Sequence, residues 1–458
     1  MRLAQILGPD LKNALETDPQ AVVEALDEFH PEDIAETLGE MEPGEAAHLL
    51  QTVPASYGGD VFERLSMELQ ISILETLGPA DAVPLLSEMS PDDRVDLFQE
   101  LPEDQAAELL ARLEQSEPEA AEEVRELGAY PEDTAGGLMT TEVVTLPPEM
   151  QAAAAIEEIR RLSREQEAET IYYIYVTAYG DKLVGVLSLR DLILAEPTQT
   201  LEDVMVANVV RVLATDDQEL VADTIAKYDL SAIPVVDDKG TMLGVVTVDD
   251  VFDVVIEEAT EDAQLQAGVV PLEDSYFETG FFALVGKRLI WLVVLFLGQL
   301  VTAEVLDQNE ATLAAVVSLV AFIPMIIASG GNAGGQSASL IIRALAVGEV
   351  QPRDWVKVMG RELAIGLALG AIIGVMGFGS SMLVSGEAGE MMWRVAATVA
   401  LSIVGVVVGG AMVGAILPLG MQRVGLDPAV SSTPFIASVV DVLGLLLYLF
   451  TARLLLPI

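Results

Sequence analysis

The residues best placed to do chemistry are acids and amides in apolar company. In the last hydrophobic run, Pro434 to Leu456, Asp441 stands among Phe435, Ile436, Val439, Val440, Val442, Leu443 and the stretch Leu445 to Phe450. That run is long enough to cross the ~30 Å hydrocarbon core as a helix. An ionised carboxylate near its middle costs about 2.5–3.5 kcal/mol on insertion scales. It must therefore face a water-filled path or a partner, and a cation is the partner expected. A second stretch, FIPMIIASGGNAGGQSASLIIRAL at 322–345, sets Pro324, Gly330, Gly331, Gly334 and Gly335 around Asn332 and Gln336. Glycines let backbones approach closely, and a helix broken inside protein can turn carbonyl groups toward an ion. Four glycines in six residues beside two amides exceed what helix packing needs, so a pore lining built on a broken helix is expected. A third stretch, DDVFDVVIEEATEDAQLQ at 249–266, reads as one helix with badly placed charge. Asp253 with Glu257, Glu257 with Glu261 and Glu258 with Asp262 are like-charge pairs at i,i+4, each costing about 0.2–0.5 kcal/mol. Divalent cations bridging this helix to acidic helices upstream would neutralise it; an acidic face screened by salt is the bland alternative.

The elements that must hold these residues divide the chain in two. Residues 1–275 carry 61 of the 72 acids and 14 of the 23 basic residues, a net of −47, whereas 276–458 net −2. Phosphate binding needs clustered Lys and Arg, so this surface argues against nucleic acid and none is expected as a partner. The anionic half suits divalent cations, or a cytoplasm rich in salt. Apolar segments at about 286–306, 312–342, 362–385, 393–418 and 434–456 make five spans in a lipid bilayer. The start, MRLAQILGPDLKNALE, lacks a signal-peptide core, so the acidic half is expected in the cytosol. The 343–361 loop, with Arg343, Arg353, Lys357 and Arg361, is then cytoplasmic, whereas Glu304, Asp307 and Glu310 lie in an outer loop without basic residues. This obeys the positive-inside rule and puts the C-terminus outside. The absence of cysteine decides nothing.

Residues 1–130 repeat one signal, a proline followed by acids, as in HPEDIAETL at 30–38, SPDDRVDLF at 90–98 and LPEDQAAELL at 101–110. Proline is pre-set for the first helical turn and acids there complement the helix dipole, which predicts stacked short helices. Between 131 and 255 an internal repeat appears. LMTTEVVTL at 138–146 recurs loosely as VMVANVVRV at 204–212, TIYYIYV at 170–176 as SAIPVV at 231–236, and GVLSLRD at 185–191 as GVVTVDD at 244–250. The pair resembles tandem CBS domains, whose two halves often form an adenine-nucleotide cleft. The resemblance implies that Ser188 with Asp191, and Thr247 with Asp250, hold phosphate and ribose, with Tyr173, Arg190 and Asp191 as the main contacts. A pair that fixes a domain interface without ligand is the alternative. Leu230 stands where a stacking aromatic would serve a base.

The GGN-x-x-x-QSA-x-x-x-x-R core of the second span, Arg361 with Glu362 heading the third, and DPAVSSTPFIASVVDVLGLLLYL at 427–449 resemble the MgtE family of magnesium channels and transporters. The resemblance covers essentially the whole chain. It implies a multidomain fold: an all-α helical-repeat N-terminal domain (1–130), two α+β CBS domains (131–200 and 201–255), a connecting plug helix (249–275) and an α-helical transmembrane domain of five spans (276–458). It also implies a homodimer with the pore on its twofold axis, which brings two Asp441 carboxylates to one Mg²⁺ site. Two such charges cannot both stay ionised without a cation between them, and Mg²⁺ is commonly held through waters and one or two carboxylates. The implied pore lining is Gly330, Gly331, Asn332 and Gln336. The implied Mg²⁺ sensors are Asp92, Asp96, Asp217, Glu219, Asp229, Asp250, Asp253, Glu258, Glu261 and Asp262, with Asp427 sharing an ion with the plug. The expected function is a bacterial inner-membrane Mg²⁺ channel, shut by cytosolic Mg²⁺ and modulated by ATP, with no catalytic chemistry. An ion-coupled Mg²⁺ transporter is the runner-up. A zinc metalloprotease wants H-E-x-x-H, but His30 and His48 are eighteen apart in the acidic half. A CBS-bearing chloride channel conflicts with five spans and a negative buried charge.

Overall fold

The computed structural model describes residues 26, 29–164, 171–272, 276–277 and 279–457. The chain forms two compact units, Met1–Ile256 and Glu257–Ile458. The N-terminal stretch read for a leader, residues 1–16, lies outside the described residues, as does the start of the 170–176 strand.

In the first unit the proline signal starts helices where expected. In chain order these are α1 (Pro31–Leu38), α2 (Pro43–Thr52), α3 (Ala55–Phe62), α4 (Met67–Leu77), α5 (Pro79–Leu86), α6 (Pro91–Glu100), α7 (Glu103–Ser116) and α8 (Pro118–Leu127). Proline occupies the first turn of α1, α2, α5, α6 and α8, and the cap position of α3 and α7. Each helix packs on the one two places further along, from α1 on α3 to α6 on α8. That pattern is a solenoid, in which neighbours bury a continuous core that no single helix could form. Arg94, 2% exposed, knits three helices together. It donates to the carbonyls of Leu86 (2.7 Å) and Met89 (2.6 Å) at the end of α5, and to Glu123 of α8 (2.8 Å).

The repeat at 131–255 folds as two copies of one three-stranded sheet. In the first copy β1 (Thr145–Leu146) runs parallel to β2 (Tyr173–Ala178), which is antiparallel to β3 (Lys182–Ser188); α9 (Ala152–Arg164), α10 (Leu189–Leu194) and α11 (Leu201–Val204) complete it. In the second, β4 (Val212–Leu213), β5 (Ala232–Val236) and β6 (Met242–Thr247) pair in the same sense, around α12 (Gln218–Tyr228). The registers match: Tyr173 pairs Ser188 where Ala232 pairs Thr247, and each long ladder slips once, at Val176/Thr177 and at Val235/Val236. Tyr175 and Leu183 of one sheet pack against Val236, Met242 and Val245 of the other. This two-sheet arrangement matches the expected CBS pair. The next helix, α13 (Val248–Gln266), is the acidic helix anticipated at 249–266, and the boundary between the two units falls within it.

Among the described residues the second unit holds five helices long and apolar enough to cross a membrane; the first, third and fourth run longer than the hydropathy estimates, the second is shifted toward the C-terminus and the fifth matches within one residue. They are α14 (Phe281–Asp307), α16 (Ile323–Ala346), α17 (Trp355–Val384), α18 (Gly389–Arg423) and α19 (Thr433–Leu455); a short α15 (Glu310–Ala315) precedes α16. Two expectations need correction. Helix α16 is continuous through its four clustered glycines, and the irregular backbone lies before it, in a 3₁₀ segment at Val317–Phe322. Pro324 explains the position, because in the first turn it needs no intrahelical donor. Within that segment the carbonyl of Leu319 accepts the hydroxyl of buried Tyr448 at 2.9 Å. The cationic loop at 343–361 is also shorter than expected. Arg343 lies in the last turn of α16, and Lys357 and Arg361 lie on α17.

The glycines of α16 pack on α18. A Cβ on Gly410 would lie 2.3 Å from the carbonyl oxygen of Gly330, and one on Gly414 would lie 2.1 Å from that of Gly334. Two small-xxx-small motifs thus meet backbone to backbone, the usual way membrane helices gain packing that lipid cannot supply. Gly414→Ala is expected to force α16 and α18 apart. Overpacking of this kind costs about 1–3 kcal/mol, to be read as a lower melting temperature of the detergent-solubilised protein.

Candidate cation pathway

The site grows from two helical periodicities. On α19, Thr433, Ala437 and Asp441 recur every four residues and so share one face. On α16, Ala328, Gly331, Asn332, Gly335, Gln336 and Ser339 share another. The two faces line a single groove of about 760 Å³ with Asp441 at its wall. The groove is narrow where glycine stands: Gly331 faces Ala437, and a Cβ added to Gly335 would meet Thr433 Cγ2 at 2.7 Å. Asn332 and Gln336 are exposed and Asp441 is half-buried.

Asp441 is held by a residue that the sequence reading passed over. Gln299 Nε2, on α14, donates to Asp441 Oδ2 at 2.9 Å. Its signal was available, for Gln299 is the only amide between Ile290 and Val301. An amide in such a run is costly unless satisfied, and the partner it finds is the acid of the last span. Of the expected lining residues, Gly331, Asn332 and Gln336 reach the groove, and Gly330 does not. One residue is a turn of about 100° on a helix, which points Gly330 at Val406 and Val440. Glu362, 8% exposed on α17, is a second buried acid, accepting from Ser337 Oγ of α16 at 2.8 Å.

The acids assigned as sensors fall into separate groups. In the first unit Asp250 lies close enough to Asp96 to disturb it. Protein packed around the Asp96 carboxyl, followed by the charges of Asp93, Glu132, Asp250 and Glu100, pushes it up to about 7. Burial likewise pushes Asp250 up to about 6, against the hydrogen bonds it receives from Thr247, with Asp249 and Asp93 adding to the rise. Asp93, adjacent to the assigned Asp92, is raised by burial and by Asp253 and Asp249. Asp217 and Asp229 sit at opposite ends of α12: Asp217 caps its start, accepting from the amide of Glu219 at 2.9 Å, and Asp229 ends it in the left-handed conformation, at φ 52°. In the second unit Glu261, Asp262 and Asp427 are neighbours. Burial, Glu258 and Asp427 raise Glu261, while burial, Asp427 and Glu258 raise Asp262 against the opposing pull of Arg343. Asp427 also accepts from the amide of Ala429 at 2.7 Å. Among the described residues no three such side chains are already drawn into metal-binding geometry.

The nucleotide candidates lie together. Tyr173 pairs with Ser188 across the β2/β3 ladder, and Arg190 and Asp191 follow in α10. Ser188 Oγ donates to Asp191 Oδ2 at 2.6 Å and accepts from the Asp191 amide at 3.1 Å, which makes the pair a helix cap in this state. Thr247 Oγ1 is 2.6 Å from Asp250 Oδ2 in the equivalent cap of the second copy and also touches Asp249.

Comparison with known proteins agrees with this architecture. The MgtE divalent cation transporter family matches residues 323–451, the MgtE intracellular N domain residues 29–133, and CBS domains residues 135–197 and 201–257. The chain is 44% identical over 345 residues to the magnesium transporter MgtE of Thermus thermophilus, covering 74% of each chain. It is 36% identical over 336 residues to that of Bacillus subtilis, covering 73% of this chain and 72% of the relative. The solved soluble part of a magnesium transporter is similar to it at 33% identity, with a TM-score of 0.53, over 56% of this chain and 99% of that one. With its acidic helical solenoid, CBS pair and five membrane helices in the family's order, the chain belongs to the MgtE family of divalent cation transporters.

Proposed function

We propose that the protein is a Mg²⁺ channel of the bacterial inner membrane, closed by cytosolic Mg²⁺. The observation that carries this reading is the groove that Asp441 shares with Asn332 and Gln336. Amides and a carboxylate left facing lipid would be costly, whereas a hydrated dication is well served by one or two carboxylates with amide oxygens around its waters. The groove is open along one side of a single chain, which supports a homodimer in which a second copy closes it and contributes a second Asp441. The acidic half then lies in the cytosol and the C-terminus outside. Single-channel recording of the reconstituted protein tests the reading. Large unitary Mg²⁺ currents are expected; flux strictly dependent on a counter-ion gradient would establish a coupled transporter instead.

Regulatory Mg²⁺ fits the acids of both units. The charges that act most strongly on Asp96 are all negative, and Glu261, Asp262 and Asp427 crowd one another. Bound Mg²⁺ would neutralise them, with Asp92, Asp253, Glu219 and Glu258 as further ligands and the capping residues Asp217 and Asp229 as lesser ones. An adenine nucleotide such as ATP is the modulator that fits the first CBS copy. Tyr173 offers a ring, Arg190 a cation for phosphate, and Asp191 an acceptor for ribose once it gives up its bond to Ser188.

Gln299 orients the carboxylate that meets the ion. Gln299→Leu leaves an acceptor on Asp441 unsatisfied, a loss of about 1–3 kcal/mol. The concentration of Mg²⁺ giving half-maximal uptake is expected to rise on the order of ten-fold, with a smaller change in maximal uptake. An unchanged concentration dependence would remove Gln299 from the site.

A further inference from the structure

We propose that Glu362, through its hydrogen bond to Ser337, is a positioning residue that fixes the rotation of α16 and keeps its amide face turned into the groove beside Asp441. The proposal rests on the groove being the ion path only for its effect on flux; the rotation itself is independent of that reading.

Ser337 follows Gln336 by one residue and Asn332 by five, which at 3.6 residues per turn places it about 100° and 140° from them, on the back of the helix. Gly330 and Gly334 are on the same side, seven and three residues before it, pressed against Gly410 and Gly414 of α18. A contact between glycine backbones sets how closely two helices approach, and the Val406 and Val440 side chains that reach Gly330 and the Ile436 side chain that reaches Gly334 add apolar contact without direction. A hydrogen bond is directional. The Ser337–Glu362 bond, 2.8 Å long between side chains 3% and 8% exposed, ties that back face to α17. An intramembrane acid is rarely kept without use. Glu362 does not line the groove, so its use is to hold the helix that does.

The chain contains no cysteine, so Gln336→Cys alone reports the rotation through its rate of modification by a charged, membrane-impermeant thiol reagent. Three backgrounds are compared in membrane vesicles: native, Glu362→Gln and Glu362→Ala. The native and Gln backgrounds, which retain an acceptor for Ser337, are expected to label alike. The Ala background is expected to label about ten-fold more slowly, the scale of one buried hydrogen bond lost. Ser337→Ala supplies a second variant that keeps the acid, and it should slow labelling as Glu362→Ala does. The two changes together should be no slower than either alone, as for members of one pair. Equal labelling in all backgrounds, or additive effects of the two changes, overturns the proposal. Mg²⁺ flux is read in chains without the reporter, at equal membrane levels. Flux that falls in Glu362→Ala and recovers in Glu362→Gln supports both the lock and the groove as the path. Altered labelling with unaltered flux supports the lock and removes the groove from the ion path.

Discussion

Asp441→Ala abolishes Mg²⁺ uptake, in the expected result, while the protein reaches the membrane at its normal level. The two halves of that outcome have separate causes. A dication entering a low-dielectric span loses much of its solvation, and only fixed negative charge at the deepest point returns it; without Asp441 the groove keeps the amides of Asn332 and Gln336 but no formal charge. Abundance should not suffer, because removing an intramembrane acid relieves an insertion cost of about 2.5–3.5 kcal/mol. Among the described residues, the one side-chain bond lost is that from Gln299. Asp441→Asn separates charge from shape, since its carbonyl can still accept from Gln299. It is expected to fail as completely as the Ala variant. The assay is uptake in cells lacking other importers, with membrane protein quantified in parallel. Uptake retained by Asp441→Ala would refute the pore assignment, and uptake retained by Asn alone would show that geometry, not charge, is what the ion requires.

The fold was legible wherever a local rule had a single solution. Proline with trailing acids starts short helices because the ring is pre-set for the first turn, and Pro31, Pro91 and Pro118 each do so. The repeated strands were legible because both copies preserve turn and register, Tyr173 against Ser188 and Ala232 against Thr247. What remained hidden depends on which way a helix faces. The clustered glycines of α16 suggested a break, yet they divide between two uses one helical step apart: Gly330 and Gly334 meet α18, and Gly331 and Gly335 face the groove. A linear pattern of glycines does not separate these uses until the neighbouring helix is in place. Gln299 was overlooked for a related reason. A lone amide in an apolar run announces that it needs a partner, but nothing local names one 142 residues away. Asp217 shows the converse: an acid that family resemblance assigns to a sensor also has a local task, capping α12.

The regulatory acids carry the second large effect. Replacing Asp250 and Asp253 with Asn and Glu258 with Gln in one chain is expected to leave flux insensitive to cytosolic Mg²⁺ across the range that closes the native protein. Inhibition that persists unchanged would mark these charges as a salt-adapted surface. Asp250, together with Asp96, also sets a pH dependence whose sign follows from their displacement. The carboxyls of Asp96 and Asp250 are raised from their ordinary value to about 7 and about 6, so the packed arrangement disfavours their charged forms. At pH well below the ordinary carboxylate value both are neutral packed or unpacked, and no penalty arises. The penalty grows as pH rises through 6 and 7 and is complete above. In the absence of divalent cations, proteolysis within Met1–Ile256 of the full chain in detergent should therefore be faster at pH 8 than at pH 5.5. Mg²⁺ supplies the countercharge that protons provide at low pH, so it should protect most at pH 8 and erase the difference. Cleavage in chelator that does not change with pH would show that this crowding has no part in holding the soluble helices together, and the sensor would then have to lie with Glu261, Asp262 and Asp427.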